Sequence, residues 1–251
     1  MPKLTILGSG TCVPRGRRGP AGYALETGNN LLLMDSGSGT LGRLHQAGLD
    51  FRNLTHAIYT HTHVDHTADL APLLFAMNYT PDFERQAMLQ ILGPTGFQEF
   101  VDKLAEPWPW TRPLGDWLDV RELDDETASF TDLSIRSLPV DHGGIPASAY
   151  RIEAGGKVVV FSGDTGMCDN IVEVAREADL LIIEASFPEN EDPGWHLTAA
   201  EAGRVATEAG ARSVVLTHLY PACDKADMVA LCQSEFDGPV RVAEDLMVVE
   251  V

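Results

Sequence analysis

His61-Thr62-His63-Val64-Asp65-His66 follows directly on the apolar run Ala57-Ile58-Tyr59-Thr60. Three histidines and an aspartate in six residues put four metal-capable side chains on one turn. His61 and His63 alternate and can reach one ion, while the adjacent Asp65 and His66 point toward another. Solvated histidines in a surface loop are the plain alternative, and the density of donors at a strand end argues against it.

Two ions need further ligands, and the chain offers them in matching places. Asp141-His142 follows the strand Leu133–Leu138, Ser162-Gly163-Asp164-Thr165 follows Val158–Phe161, and Thr217-His218 follows Val214–Leu216. Ligands gather at the carboxyl ends of strands in open α/β sheets. Taken alone, His142 and His218 read as satisfied core or surface histidines; beside the first cluster they read as ligands. The expected sets are His61, His63 and His142 on one ion and Asp65, His66 and His218 on the other, with Asp164 bridging. An open position on each ion then accommodates a shared water, the arrangement of a two-metal hydrolase.

Outward from this cluster, short β-branched runs alternate with helical patterns. The expected strands are Lys3–Leu7, Gly22–Glu26, Leu31–Asp35, Ala57–Thr60, Met88–Leu92, Leu133–Leu138, Ser148–Glu153, Val158–Ser162, Leu180–Glu184, Val214–Thr217 and Leu246–Val249. Many are apolar throughout, as strands covered on both faces are. Leu70, Leu73, Leu74 and Met77 make one helical stripe. Thr198-Ala199-Ala200-Glu201 is a capping box opening a helix that closes at Gly210. Further helices are expected over 170–178 and 228–236, and Pro81–Thr127 is the least regular stretch. The pattern predicts one domain over residues 1–251, mixed sheets between helical layers, with a hint of two similar halves.

Composition narrows the function classes. The 251 residues are 44% hydrophobic and 22% charged, a globular balance, and 37 acidic against 18 basic side chains leave a net charge of -19. An acidic surface repels phosphate backbones, so no extended nucleic-acid surface is expected. The four cysteines, Cys12, Cys168, Cys223 and Cys232, are scattered, which points to a reducing, cytoplasmic setting. No apolar run approaches the roughly 20 residues of a membrane span.

The metal motif, together with Gly8-Ser9-Gly10-Thr11, Asp35-Ser36-Gly37, Ser162-Gly163-Asp164-Thr165 and His196-Leu197-Thr198-Ala199-Ala200-Glu201, resembles the metallo-β-lactamase superfamily in its ribonuclease Z-like branch. The resemblance spans almost the whole chain and implies an α/β protein folded as a four-layer αββα sandwich. It implies a binuclear hydrolase using a metal-bridging hydroxide, with zinc as the default and manganese or iron as alternatives, and a homodimer by family habit. Ribonuclease Z enzymes proper carry a long arm for precursor tRNA between the third-motif histidine and the bridging aspartate. Here only residues 143–163 separate His142 from Asp164, room for one hairpin, so the chain resembles the short, armless forms. A related cyclic-phosphate diesterase carries an N-terminal cysteine cluster, and Cys12 stands alone here.

The expected substrate is a small or short single-stranded phosphodiester. The alternatives are a lactone, ester or amide hydrolase, a tRNA 3′-end endonuclease, and a metal-binding sensor without turnover. Asp65 is placed to ligate an ion and hold the attacking water. The resemblance gives His196 the role of donor or general acid, with a loop histidine as the plain alternative; Glu184, ending the strand Leu180–Glu184, reads as the carboxylate that orients His196 or as a helix-neighbour carboxylate. Asp35 reads either as a carboxylate holding a metal-bound histidine or as a plain turn former. Arg15, Arg17 and Arg18 read as a phosphate contact or a solvated loop. Tyr79, Trp108, Trp110 and Arg112 read as an aromatic cover over the site or as ordinary packing.

Overall fold

The computed structural model describes residues 1–189 and 194–251. The first half runs β1 (Lys3–Gly8), β2 (Gly22–Thr27), β3 (Asn30–Ser36), α1 (Thr40–Gln46), β4 (His56–Ile58), α2 (Val64–Thr67), α3 (Leu70–Tyr79), β5 (Leu89–Gly93), α4 (Phe97–Leu104) and β6 (Leu118–Glu122). The second runs β7 (Thr127–Ser129), β8 (Leu133–Pro139), β9 (Ser148–Ala154), β10 (Lys157–Phe161), α5 (Asp169–Val174), β11 (Leu180–Glu184), α6 (Ala199–Ala209), β12 (Val214–Thr217), α7 (Met228–Gln233), β13 (Val240–Val242) and β14 (Val248–Glu250).

These strands form two seven-stranded sheets, ordered β14-β1-β2-β3-β4-β5-β6 and β13-β12-β11-β10-β9-β8-β7. Each sheet is an antiparallel meander that continues into three parallel strands. The halves therefore repeat one plan, and the C-terminal β14 lies antiparallel on β1 as β7 does on β8.

Strand periodicity explains the four layers. In β3, Leu32 and Met34 face the other sheet, while Leu31 and Leu33 face α1 and α3. In β11, Leu180 and Ile182 face between the sheets, and Leu181 and Ile183 face α5 and α6. Three apolar cores result: one between the sheets and one under each helical layer. Buried on both faces, these strands are apolar through their middles and carry polar residues only at their ends, Asn30, Asp35 and Ser36 in β3 and Glu184 in β11.

Differences from the expected elements have local causes. β4 ends at Ile58 because the Thr60 N–H donates to the Asp35 carboxylate at 2.9 Å and not to a neighbouring strand. The last strand starts at Val248, since Leu246 sits at φ 67° in a turn. The edge strands β6, β7 and β13 span 5, 3 and 3 residues, too few for a local pattern to announce a strand. The helices α1 and α4, unexpected from sequence, both start at glycines with positive φ, Gly39 and Gly96, where no polar side chain signals a cap. The expected helices over 170–178 and 228–236 stop early, at Val174 and Gln233.

Candidate metal centre

The donor residues meet where the carboxyl ends of β4, β8, β10, β11 and β12 converge. Bonds between the sheets hold these ends in register. The Tyr23 hydroxyl lies 2.7 Å from Thr217 Oγ1, Tyr150 donates to the Tyr59 carbonyl at 3.0 Å, and Ser148 N–H donates to the Thr60 carbonyl at 2.9 Å. Gly163 turns the chain after β10 at φ 57°, and a Cβ there would lie 2.5 Å from Thr60 Cβ. Only glycine fits this close approach, and it delivers Asp164 between the two sheets.

Asp164 lies at the middle of the cluster. Its carboxylate is 3.4 Å from His66 Nε2 and from His218 Nε2, 3.8 Å from His61 Nε2 and from His142 Nε2, and 3.9 Å from His196 Nδ1. Two groups of side chains bring their donor atoms within 4.8 Å of one another: His61, His63, His142 and Asp164, and Asp65, His66 and His218. A third such group is Asp164, His196 and His218.

The partners of the outward nitrogens decide which nitrogen faces inward. His66 Nδ1–H donates to Asp35 at 2.7 Å, and His142 Nδ1–H donates to the Trp195 carbonyl at 3.0 Å. Thr60 Oγ1 gives its proton to Asp35 at 2.8 Å and so accepts from His61 Nδ1–H at 3.1 Å. His218 Nδ1–H meets Ser186 Oγ at 3.0 Å, and that hydroxyl donates to Glu184 at 2.6 Å. Each of these rings therefore turns Nε2 toward the centre. Ordered outer partners of this kind fix tautomer and ring orientation in metal sites.

The inward atoms need a cation. His66 Nε2 faces His218 Nε2 at 3.3 Å, and His142 Nε2 faces His63 Nδ1 at 3.2 Å. Two lone pairs at such distances repel, so a proton or a metal ion has to lie between the nitrogens of each pair. Among the described residues, His61 Nε2 and Asp164 Oδ1 are buried without any hydrogen-bond partner, a costly state for polar atoms. Nitrogen and carboxylate donors in this mixture suit zinc, manganese or iron, so the residues present fit a metal centre.

With protons as the only cations, positive charge collects at the same place. Burial alone would push His66 toward neutrality, but the Asp164 and Asp35 carboxylates raise it well above the ordinary histidine range. Burial would raise Asp65, and His218 and His66 more than offset that, holding it below the usual carboxylate range. His61 is held well below the ordinary range by burial and by the neighbouring His66. Asp65 is further held by the Cys12 N–H, 3.2 Å from Oδ2.

His196 stands two residues before the cap of α6, and its Nδ1 lies 3.1 Å from both oxygens of the fully buried Glu184. Burial opposes its protonation, yet the Glu184 contact prevails and raises it to about 8. Asp35 accepts from Thr60 and His66 and holds φ 53°; His218 also sits at φ 53°. Such strained conformations concentrate at functional sites.

The other expected residues lie apart. Arg15 is ion-paired to Asp224 at 2.7 Å and bonded to the Leu219 carbonyl, and Arg18 bonds Ser9, Asp224 and the Ala243 carbonyl. Both arginines therefore brace the 10–20 loop and are not free for a phosphate; Arg17 stays exposed. Trp108 and Trp110 flank the end of α3, where Asn78 donates to the Trp110 carbonyl. The 520 Å³ cavity beside them, lined by Leu74, Val101, Thr111 and Arg112, contains none of the clustered donors. The aromatic rings beside the centre are instead Phe187, Trp195 and Tyr220. Tyr220 stacks on Phe187 at 4.8 Å, with its centroid 6.1 Å from His196. That Trp195 directly precedes His196 and that Tyr220 follows His218 by two residues was their only signal in the sequence.

Two mixed sheets between helical layers, with histidines and aspartates gathered at the strand ends, define the metallo-β-lactamase fold of metal-dependent hydrolases. Residues 30–219 match the Beta-lactamase superfamily domain. An uncharacterized protein of Mycobacterium leprae is 35% identical over 249 residues, covering 95% of this chain and 85% of the relative. Ribonuclease Z of Mycobacterium marinum is 30% identical, covering 100% of this chain and 99% of that protein. Among solved structures, the metallo-β-lactamase fold protein YhfI of Bacillus subtilis superposes with a TM-score of 0.85 at 29% identity, covering 100% of both chains. The chain belongs to the beta-lactamase superfamily, in its ribonuclease Z-like branch, and is a metal-dependent hydrolase. No helix among the described residues is long and apolar enough to cross a membrane.

Proposed function

We propose that this chain, acting as one domain over residues 1–251, hydrolyses a small or single-stranded phosphodiester. His61, His63 and His142 would hold one divalent ion and Asp65, His66 and His218 a second, with Asp164 shared; zinc is the default metal. When bound, such a pair supplies a water that is nucleophilic at neutral pH and positive charge for the phosphoryl oxygens.

The observation that carries this reading is the His196–Glu184 pair. With Nδ1 held at 3.1 Å by Glu184 and its pKa raised to about 8, His196 is cationic at neutral pH and lies 3.9 Å from Asp164. An alkoxide leaving phosphorus needs a proton, and His196 would give it from Nε2. Asp65, fixed by the Cys12 N–H, would hold the attacking water in place by accepting its hydrogen bond. Glu184 holds the imidazolium in place through Nδ1. The similarity to a ribonuclease Z over the whole chain supports phosphorus over carbon as the centre attacked. Between His142 and Asp164 the chain consists of a short loop and the β9–β10 hairpin, turning at Gly155-Gly156. That favours a compact substrate over precursor tRNA.

The test is hydrolysis of bis(p-nitrophenyl) phosphate by protein loaded separately with zinc and manganese, with Asp65→Ala as control. Metal-dependent turnover that the substitution abolishes is the expected result. Bound metal with no turnover on this diester, but turnover on a lactone or carboxylic ester, would overturn it.

A further inference from the structure

Trp195 differs from the other aromatic residues at the centre. Phe187 and Tyr220 cover one another, whereas Trp195 is 60% exposed although it directly precedes His196. Its backbone is anchored, because the Trp195 carbonyl accepts from His142 Nδ1–H at 3.0 Å. Its ring lies down on Gly143, the residue after His142. A Cβ added to Gly143 would come within 3.0 Å of indole Cδ2 and Cε3. Gly143 has φ 60°, so it provides both the turn and the flat seat, and any side chain there would lift the ring. One indole face thus rests on backbone beside a donor histidine, and the ring stays open to solvent.

An open π-face on the residue between Gly143 and His196 is within the surroundings of the centre that a group attached to a bound phosphate would enter. An aliphatic group gains little from it, while a planar heterocycle gains the stacking that aromatic side chains give to nucleic-acid bases. We infer that Trp195 is the stacking platform for the base of a nucleotide phosphodiester, and so the specificity-determining residue of this site. The inference rests on the phosphodiester reading above. Every base has a π-face, so the platform selects nucleotides over other phosphodiesters without choosing strongly among bases.

Titration calorimetry with adenosine 5′-monophosphate and ribose 5-phosphate tests this on the zinc-loaded protein. The two probes share the phosphate and the sugar and differ in the base. The wild type should bind the mononucleotide about 5- to 100-fold more tightly, the range that base stacking provides. Trp195→Ala should bring the ratio close to one, leaving ribose 5-phosphate affinity and zinc content unchanged, because the bond to His142 uses the backbone carbonyl. Trp195→Phe should restore most of the preference. A preference retained in Trp195→Ala, or wild-type binding of both probes with equal affinity, would overturn the platform alone. Zinc-loaded wild type that binds neither probe would overturn the platform and the phosphodiester reading together.

Discussion

At the scale of single residues, the centre is organised by carboxylates that stand behind its histidine rings. Asp35 accepts three hydrogen bonds, from Thr60 N–H, Thr60 Oγ1–H and His66 Nδ1–H. It thereby positions both His66 and, through Thr60, His61. Asp35→Asn keeps a residue that tolerates φ 53° but removes the charge that favours metal-binding geometry. We expect zinc affinity to fall about 10- to 100-fold, measured by competition with a chromogenic chelator, with the fold retained. Unchanged affinity would reduce Asp35 to a turn former. Glu184 acts in the same way on His196. A histidine raised to about 8 stays protonated up to that pH and loses its proton above it, so kcat/KM should fall on the alkaline side as pH rises through about 8. Glu184→Gln removes the raising charge and should move that limb downward by about one to two units. A limb that stays put would assign it to another group. Asp35, read as either a turn former or a histidine support, could not be decided in sequence, because its partners Thr60 and His66 come from the next strand and helix.

At the scale of elements, α6 shows how a well-made local motif serves the site. Thr198 Oγ1 accepts from Glu201 N–H at 3.2 Å while the Glu201 carboxylate accepts from Thr198 N–H at 2.8 Å, and Gly210 closes the helix at φ 67°. These bonds are local, which is why Thr198, Glu201 and Gly210 could be read directly from the sequence. They also set where the chain leaves Glu184's neighbourhood, since Leu197 N–H donates to Glu184 at 3.2 Å just before the cap. Thr198→Ala removes the cap and should cost about 1 kcal/mol, seen as a lower urea midpoint with unchanged slope, while Thr198→Ser should restore it. A drop in zinc content would mean that the cap also holds the centre together. By contrast, α1 and α4 begin at glycines with no side-chain cap, and β6 and β13 owe their strand character to a neighbour's ladder. Elements of that kind are made by tertiary pairing and leave little trace in local pattern.

At the scale of the whole molecule, the repeated plan of the two sheets explains why the donors cluster. Asp35 at the end of β3 and Asp164 beyond β10 stand at corresponding places, as do His61 beyond β4 and Glu184 at the end of β11. Packing the halves face to face brings both sets of strand ends to one edge. The sequence only hinted at this, because the strand that completes the first sheet, β14, comes from the far end of the chain. The same global view gives a sign to the salt dependence of activity. The chain carries a net charge of -19, and the two dications proposed above would still leave it strongly negative. A phosphodiester anion is therefore repelled at long range, over a screening length of about 30 Å at 0.01 M salt and about 8 Å at 0.15 M. Raising salt between these values should increase kcat/KM for bis(p-nitrophenyl) phosphate by roughly two- to tenfold, through screening of that repulsion. An enzyme that grips a polyanion along a basic surface behaves oppositely, because each phosphate contact releases counterions and weakens with salt. A steep fall in kcat/KM with salt would point to such a surface and return precursor RNA to consideration. A rise matches a compact substrate that reaches the metal centre against the field of the protein.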